Sequence, residues 1–231
     1  MSFLEPGDAV RIKICGVTSR VDAEAALSAG ADALGFNFYR GSKRHVAFEE
    51  NRSWIKDLAG RAFRVAVVVD AEVDELRALR SSECFEAVQF HGDETPRFCA
   101  NAGFSVWIRA VRVKDDRSLK DALRYETRYL LLDAWAEASY GGTGRQVNRN
   151  LAREFVAAQP ERRIILAGGL SPENVAEAVA TLRPHAVDVA SGVETGPGRK
   201  DPRRMADFIA AARSALERAR TGASTAPDSL V

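Results

Sequence analysis

The chain has 231 residues, with 33 lysines and arginines against 32 acidic residues and a formal net charge of +1. This length suits one large α/β domain with a sizeable buried core. The near balance of charge argues against a protein built mainly to bind nucleic acid, which needs a strongly basic face. The N-terminus lacks the features of a signal peptide, and no apolar stretch approaches the roughly 20 residues that span a bilayer.

The three cysteines, Cys15, Cys84 and Cys99, are widely spaced and form no paired or zinc-like pattern. A reducing compartment is therefore the simplest environment for them. We expect a cytoplasmic protein without a metal site and with neither nucleic acid nor membrane as a partner.

Eight short apolar runs along the chain are predicted to be strands, and each is followed by a segment of helical pattern. Several are almost continuously apolar, as between residues 64 and 69, which favours a parallel sheet covered on both faces. The predicted strands are Val10–Cys15, Asp32–Phe38, Phe63–Asp70, Phe85–Phe90, Ser105–Val111, Arg128–Asp133, Arg162–Ala167 and Ala186–Ala190.

Helix boundaries are indicated by glycine and proline. Gly30 is placed where a helix should end in a left-handed residue, Ser171-Pro172 predicts an N-cap followed by the first helical residue, and the last helix should run from Pro202 to about Arg218. Eight strand–helix units favour a single-domain (β/α)8 TIM barrel over an open doubly wound sheet. We expect the barrel domain to cover residues 9–218, with residues 1–8 and 219–231 as flexible termini.

Barrels of this class hold their active sites at the carboxyl ends of the strands, and reactive residues collect there in this sequence. Cys15 ends the first predicted strand, Asp133 ends the sixth, His91 follows the fourth and Asp188 lies in the eighth. Arg44 lies in the loop after the second strand, where a cation is suited to holding a carboxylate.

Each of these residues also has a purely structural interpretation. A cysteine flanked by apolar residues is usually a core residue, as we expect of Cys84 and Cys99, but Cys15 precedes Gly16 at the mouth, where a nearby positive charge makes a thiol a usable base. Asp133 suits either a turn cap or a proton donor whose neutral form is favoured by desolvation. His91 suits either a general base or a hydrogen bond to the backbone.

Glycines in the later loops indicate a phosphate site, since converging backbone N–H groups bind phosphate well and glycine permits close approach. In many barrels this site lies after strands 7 and 8. The predicted phosphate-binding residues are Gly142, Gly144, Gly168, Gly169, Ser191 and Gly192.

Ordered motifs over nearly the whole chain resemble the phosphoribosylanthranilate isomerase family of tryptophan biosynthesis. They are KICGVT at 13–18, LGFNFY at 34–39, SKR at 42–44, VQFHGDE at 88–94, LD at 132–133, GGTG at 141–144, LAGGLSPENV at 166–175, VDVASGVE at 187–194 and PGRKD at 197–201. Their joint occurrence in this order is highly specific.

The resemblance implies an Amadori rearrangement of N-(5′-phosphoribosyl)anthranilate to 1-(o-carboxyphenylamino)-1-deoxyribulose 5-phosphate, without a cofactor. It makes Cys15 the general base and Asp133 the general acid. Arg44 would lie near the anthranilate and Asp188 near the sugar, and the remaining assignments to substrate binding are Gln89 and His91. Family members are monomers or homodimers, so either state is expected.

The chain departs from the family pattern at a few positions. Arg40-Gly41 and His45 stand where prolines and a tyrosine are common, residues 147–149 replace an aromatic segment, and Ala190 replaces a serine. None of these changes removes the proposed acid or base. They leave open a relative that binds a sugar phosphate without turnover, or a scaffold partner.

Two other phosphate-binding barrel enzymes fit less well. Indole-glycerol-phosphate synthase is expected to carry a lysine and glutamates at the strand ends, and a histidine-pathway isomerase is expected to pair aspartates across two similar half-barrels. This chain shows no convincing half-chain repeat, and its first acid–base position is Cys15.

Overall fold

Eight parallel strands form a closed barrel in the computed structural model, which describes residues 3–4, 9–134 and 149–221. Each strand pairs with its sequence neighbours, and β1 also pairs with β8, which closes the sheet. The predicted TIM barrel is confirmed. Its strands are β1 Arg11–Cys15, β2 Ala33–Asn37, β3 Phe63–Val68, β4 Ala87–Phe90, β5 Trp107–Val113, β6 Tyr129–Ala134, β7 Arg163–Leu166 and β8 Ala186–Val189.

A helix follows each strand and covers the outside of the barrel. After β8 the chain first makes a 3₁₀ turn, Ser191–Val193, and a short hairpin of β9 Glu194–Gly196 and β10 Arg199–Lys200. The helices are α1 Arg20–Ala29, α2 Phe48–Asp57, α3 Val73–Ser81, α4 Pro96–Asn101, α5 Asp116–Ala122, α6 Arg149–Ala158, α7 Val175–Leu182 and α8 Pro202–Thr221. Within the described part of the chain, none is long and apolar enough to cross a membrane.

Helix ends match the predictions unevenly. Gly30 caps α1 in the left-handed region with φ of 98°, as expected. The predicted start of α7 at Pro172 is wrong, because the helix begins at Val175. The side chain of Asn174 donates to the carbonyl of Gly169 and accepts from the N–H of Ser171, each at 2.9 Å, and so stabilises a turn before the helix.

Both faces of the barrel strands are buried, which explains their continuous apolar runs. Ile12, Leu34 and Phe36 belong to the outer core between strands and helices. Val65 and Leu131 belong to the inner core that fills the barrel.

The N-terminal end of the barrel interior is covered by residues from a segment predicted to be flexible. Phe3 and Leu4 are 1% and 3% exposed and join the inner core. The ring centroid of Phe3 lies 5.8 Å from that of Phe63 at the start of β3, and its carbonyl contacts His185 Nε2 at 3.0 Å. The expectation of flexibility is therefore wrong for these two residues, because apolar side chains here complete the core. The remaining domain limits stay predictions.

Candidate active site

A cavity opens at the carboxyl ends of the strands and gathers most of the residues singled out from the sequence. Its lining includes Cys15, Arg44, His91, Asp133, Gly168, Gly169, Asp188 and Ser191. Gly192 lies in the loop after β8 just behind this lining, and Gln89 lies beneath His91. Gly142 and Gly144 lie outside the described residues. Chain order alone brings these groups together, since the carboxyl ends of all eight strands share one rim.

Cys15 lies at the end of β1 opposite Gly35 of β2. A Cβ added to Gly35 would approach Cys15 Sγ to 2.8 Å and Lys13 Nζ to 3.1 Å, so the absence of a side chain there makes room for both groups. Lys13 and Cys15 are two residues apart on one strand and therefore point to the same side. The thiol thus lies beside a buried ammonium group inside the barrel mouth.

Lys13 is itself paired with Asp188 across the seam that closes the barrel. The two residues are register partners in β1 and β8, and Lys13 Nζ donates to Asp188 Oδ1 at 2.6 Å. Burial lowers the pKa of Lys13, but the charges of Asp188 and Cys15 outweigh it, so the pKa lies above its ordinary value. Lys13 therefore remains an ammonium group beside the thiol.

Burial and the charge of Asp188 raise the pKa of Cys15 above its ordinary value, although Lys13 and Lys200 act in the opposite direction. At neutral pH most Cys15 side chains are therefore thiols, and the thiolate fraction grows with rising pH. A base of this kind becomes more available on the alkaline side.

Replacing either of two charged neighbours of Cys15 is predicted to shift the pKa of its thiol, in opposite directions for the two replacements. Lys13→Met removes a positive charge and should raise the pKa of Cys15, whereas Asp188→Asn removes a negative charge and should lower it. The measurement is the rate of iodoacetamide alkylation against pH, with Cys15→Ala as the blank. Shifts of the same sign in both variants would contradict this electrostatic account.

Asp133 at the end of β6 is 4% exposed and contacts His91. His91 Nε2 lies 3.2 Å from Asp133 Oδ2, and its Nδ1 lies 3.0 Å from Gln89 Nε2. In the orientation that the Gln89 amide adopts in this structure, its nitrogen donates to Nδ1, which leaves Nε2 to donate to Asp133 Oδ2. The side chain of His91 thus bonds two side chains and holds the Asp133 carboxyl. A contact of Gln89 with substrate stays a prediction.

Arg44 crosses the end of β1 close to Cys15. A Cβ on Gly16, whose φ is 70°, would lie 2.4 Å from Arg44 Cδ, so only glycine leaves room for this path. The guanidinium binds Glu194 through both Nε and Nη2, at 2.8 and 2.7 Å. The hydrogen bonds that Arg44 donates to Glu194 raise the pKa of Arg44, although burial opposes this effect.

Three charged residues of this site had no role assigned from the sequence: Lys13, Glu194 and Lys200. A role for Lys13 could have been inferred from the sequence, because a lysine between Ile12 and Ile14 in a buried strand needs a partner of opposite charge. Glu194 and Lys200 lie in the hairpin after β8, where no periodic pattern marks a buried side chain.

The loops after β7 and β8 form the end of the cavity predicted to hold phosphate. Gly168 and Gly169 have φ of 83° and 66°, and among the described residues their N–H groups have no hydrogen-bond acceptor. A Cβ on Gly192 would lie 1.9 Å from the carbonyl oxygen of Leu170, so the two loops touch through their backbones. This arrangement leaves N–H groups available to an anion.

Comparison with known proteins agrees with this geometry. The family model for N-(5′-phosphoribosyl)anthranilate (PRA) isomerase matches residues 12–211. The N-(5′-phosphoribosyl)anthranilate isomerase of Trichlorobacter lovleyi is 45% identical over 208 residues, which cover 90% of this chain and 100% of the relative.

Solved structures give the same result. Phosphoribosyl anthranilate isomerase from Thermotoga maritima aligns with a TM-score of 0.80 at 37% identity, over 88% of this chain and 98% of that one. A structure of the isomerase in complex with reduced 1-(o-carboxyphenylamino)-1-deoxyribulose 5-phosphate aligns with a TM-score of 0.75 at 36% identity and the same coverage. On these matches of sequence and fold, the chain belongs to the N-(5′-phosphoribosyl)anthranilate isomerase family.

Proposed function

We propose that this chain converts N-(5′-phosphoribosyl)anthranilate to 1-(o-carboxyphenylamino)-1-deoxyribulose 5-phosphate, with Cys15 as the general base and Asp133 as the general acid. The observation that carries the proposal is that this thiol and this carboxyl line one cavity. They come from β1 and β6, and the two strands between them, β7 and β8, carry the loops proposed for phosphate. A sugar phosphate held there by its phosphate would extend between the two groups.

The first step is the opening of the ribose ring. Asp133 gives a proton to the ring oxygen as the bond from C1 to that oxygen breaks, and the lone pair of the anilino nitrogen forms the C1–N double bond. The product is a protonated Schiff base with a free hydroxyl at C4. His91, which contacts Asp133 at 3.2 Å, orients the carboxyl for this transfer.

The second step moves the hydrogen at C2. The Cys15 thiolate removes this proton, and the electrons of the C–H bond flow into the protonated Schiff base, which takes up the charge and becomes an enolamine. Tautomerisation then places a hydrogen on C1 and gives the ketone at C2. Lys13, beside the thiol, favours the thiolate over the thiol.

Binding at both ends holds the substrate for these transfers. Arg44 faces the carboxylate of the anthranilate, and Asp188 lies where it accepts hydrogen bonds from sugar hydroxyls. The backbone of Gly168, Gly169, Ser191 and Gly192 receives the phosphate. The solved relative that holds a reduced product analogue supports a small-molecule ligand of this kind.

Gly192 gives a direct test of the phosphate end. Gly192→Ala places a methyl group 1.9 Å from the Leu170 carbonyl, so the two loops must separate, and we expect KM and the inhibition constant of inorganic phosphate to rise about tenfold, a loss comparable to one charge-assisted hydrogen bond. Gly196→Ala is the matched control, because, apart from its chain neighbours, no residue that the structure describes has an atom within 4 Å of the added Cβ. Equal behaviour of the two variants would remove the loop after β8 from phosphate binding.

The whole function is tested in a bacterial strain that lacks its own isomerase and requires tryptophan. Expression of this chain is expected to restore growth without tryptophan, and the Cys15→Ala variant at equal protein level is expected not to. Failure of the unaltered chain to restore growth, with folded protein present, would count against the proposal.

A further inference from the structure

Arg44 belongs to a cluster of three charges, and the other two members, Glu194 and Lys200, come from the hairpin after β8. Glu194 Oε1 accepts from Arg44 Nε and Oε2 accepts from Nη2, and Lys200 Nζ donates to Oε1 at 2.8 Å. The side chains of Arg44, Glu194 and Lys200 are 15%, 4% and 0% exposed. Of these three side chains, only Arg44 lines the cavity.

Lys200 contributes a second positive charge to the cluster. Its other hydrogen bonds go to the carbonyls of Cys15 and Ala190, at 2.5 and 3.2 Å, which are neutral acceptors. Burial opposes ionisation of Glu194, but the hydrogen bond from Arg44 and the charge of Lys200 keep its pKa below the ordinary value. Burial lowers the pKa of Lys200, and the charge of Glu194, which its Nζ contacts at 2.8 Å, opposes that effect. With both cations ionised around one carboxylate, the cluster carries a net charge of one positive unit.

Glu194 occupies only one edge of the guanidinium, the edge formed by Nε and Nη2. Among the residues that the structure describes, none accepts a hydrogen bond from Nη1, and Arg44 lines the cavity. A guanidinium offers a second edge, Nη1 with Nη2, that matches a carboxylate with two parallel hydrogen bonds. The open edge of Arg44 is therefore shaped for one further carboxylate.

We propose that Glu194 and Lys200 are positioning residues that make this site selective for a substrate whose aromatic ring bears an ortho-carboxylate. Glu194 fixes the orientation of Arg44, and Lys200 neutralises Glu194, so that the charge of Arg44 is left for the substrate. Without Lys200, an incoming carboxylate would meet a neutral Arg44–Glu194 pair and the repulsion of Glu194 at short range. The inference rests on the proposed function, in which Arg44 faces the anthranilate.

The test measures the binding of two ligands to each variant. A general loss of affinity affects both ligands equally and therefore cancels in the ratio of their dissociation constants. One ligand is reduced 1-(o-carboxyphenylamino)-1-deoxyribulose 5-phosphate, and the other is the same compound with a phenyl ring that lacks the carboxylate. Calorimetry gives both dissociation constants, and their ratio is the carboxylate preference. We expect Lys200→Met to reduce this preference about tenfold while affinity for the carboxylate-free ligand changes less than about threefold.

A charge rescue separates electrostatics from structure. In the double variant Glu194→Gln/Lys200→Met the cluster again carries one positive charge, so most of the carboxylate preference should return. A merely structural role predicts that the double variant is worse than either single one. Lys120→Met, which removes an exposed lysine paired with Asp116 on α5, should leave the preference unchanged.

Each outcome decides between the claims. If Lys200→Met keeps the full carboxylate preference, or the double variant does not recover it, the inference is overturned while the proposed function stands. If the unaltered protein itself shows no carboxylate preference, the proposed role of Arg44 fails first. Should Lys200→Met not fold, as judged by circular dichroism, Lys200→Gln removes the charge, keeps a hydrogen-bond donor and carries the same expectation.

Discussion

Cys15→Ala is expected to lower kcat by roughly 10²–10⁴-fold, the range for loss of a positioned acid or base. The variant lacks any group at the end of β1 that accepts the C2 proton, since Lys13 beside it is held as an ammonium group by Asp188. The cavity keeps its shape because alanine removes only the sulfur. Stopped-flow turnover and calorimetric binding of the reduced product analogue measure the two effects separately.

The matched control for this variant is Cys99→Ala. Cys99 on α4 is 1% exposed, and burial raises its pKa to about 12, so it is an inert core thiol. Its replacement is expected to lower thermal stability without changing kcat at a temperature where the variant stays folded. Near-normal turnover of Cys15→Ala would remove this thiol from the mechanism.

Asp133→Asn is expected to cause a loss of the same order, roughly 10²–10⁴-fold in kcat. An asparagine keeps the size of the side chain and an oxygen that accepts a hydrogen bond from His91 Nε2, but its amide has no proton acidic enough for the ring oxygen. Ring opening then becomes the slow step, and affinity for the reduced product analogue, which is already open-chain, should change little.

Asp116→Asn is the control for loss of a carboxylate, because Asp116 lies on the outside of the barrel in the first turn of α5. It should retain full turnover. An Asp133→Asn variant with kcat within about threefold of the unaltered protein would show that another group protonates the ring oxygen.

The barrel could be predicted because each of its strands and helices is indicated by a short, continuous stretch of sequence. Eight apolar runs follow from strands buried on both faces, and glycine marks the end of α1 at Gly30. The ends of the strands were less accurate. The third strand was expected to reach Asp70, but it ends at Val68, and Asp70 adopts φ of 47° while its side chain accepts from the N–H of Asp93. Such a turn depends on a contact between loops that no periodic pattern records.

The same distinction applies to the site. The positions of Cys15, His91 and Asp133 at the mouth follow from chain order alone, since each comes at the end of a strand. The pairing of Lys13 with Asp188 joins residues 175 positions apart and arises only when β1 meets β8. The identity of the substrate came from the resemblance to a family, because strand-end chemistry by itself indicates only acid–base catalysis on a phosphorylated ligand.

The contact of Arg44 with Glu194 changes what the sequence indicated about that arginine. A loop cation near the mouth was expected to meet a substrate carboxylate, and the structure gives it an internal carboxylate as well. Lys200 resolves the apparent conflict, because it supplies the second positive charge. Substrate selectivity in this barrel is thus expected to depend on side chains behind the cavity as well as on those that line it.

The most direct measurement is turnover by the purified protein. N-(5′-phosphoribosyl)anthranilate is generated in situ, and its anthranilate-type fluorescence is followed with time at several protein concentrations. We expect the fluorescence to decay at a rate proportional to the concentration of unaltered protein, and at the background rate when both Cys15→Ala and Asp133→Asn substitutions are present. A rate that never exceeds the protein-free background, with folded protein at every concentration, would contradict the isomerase assignment.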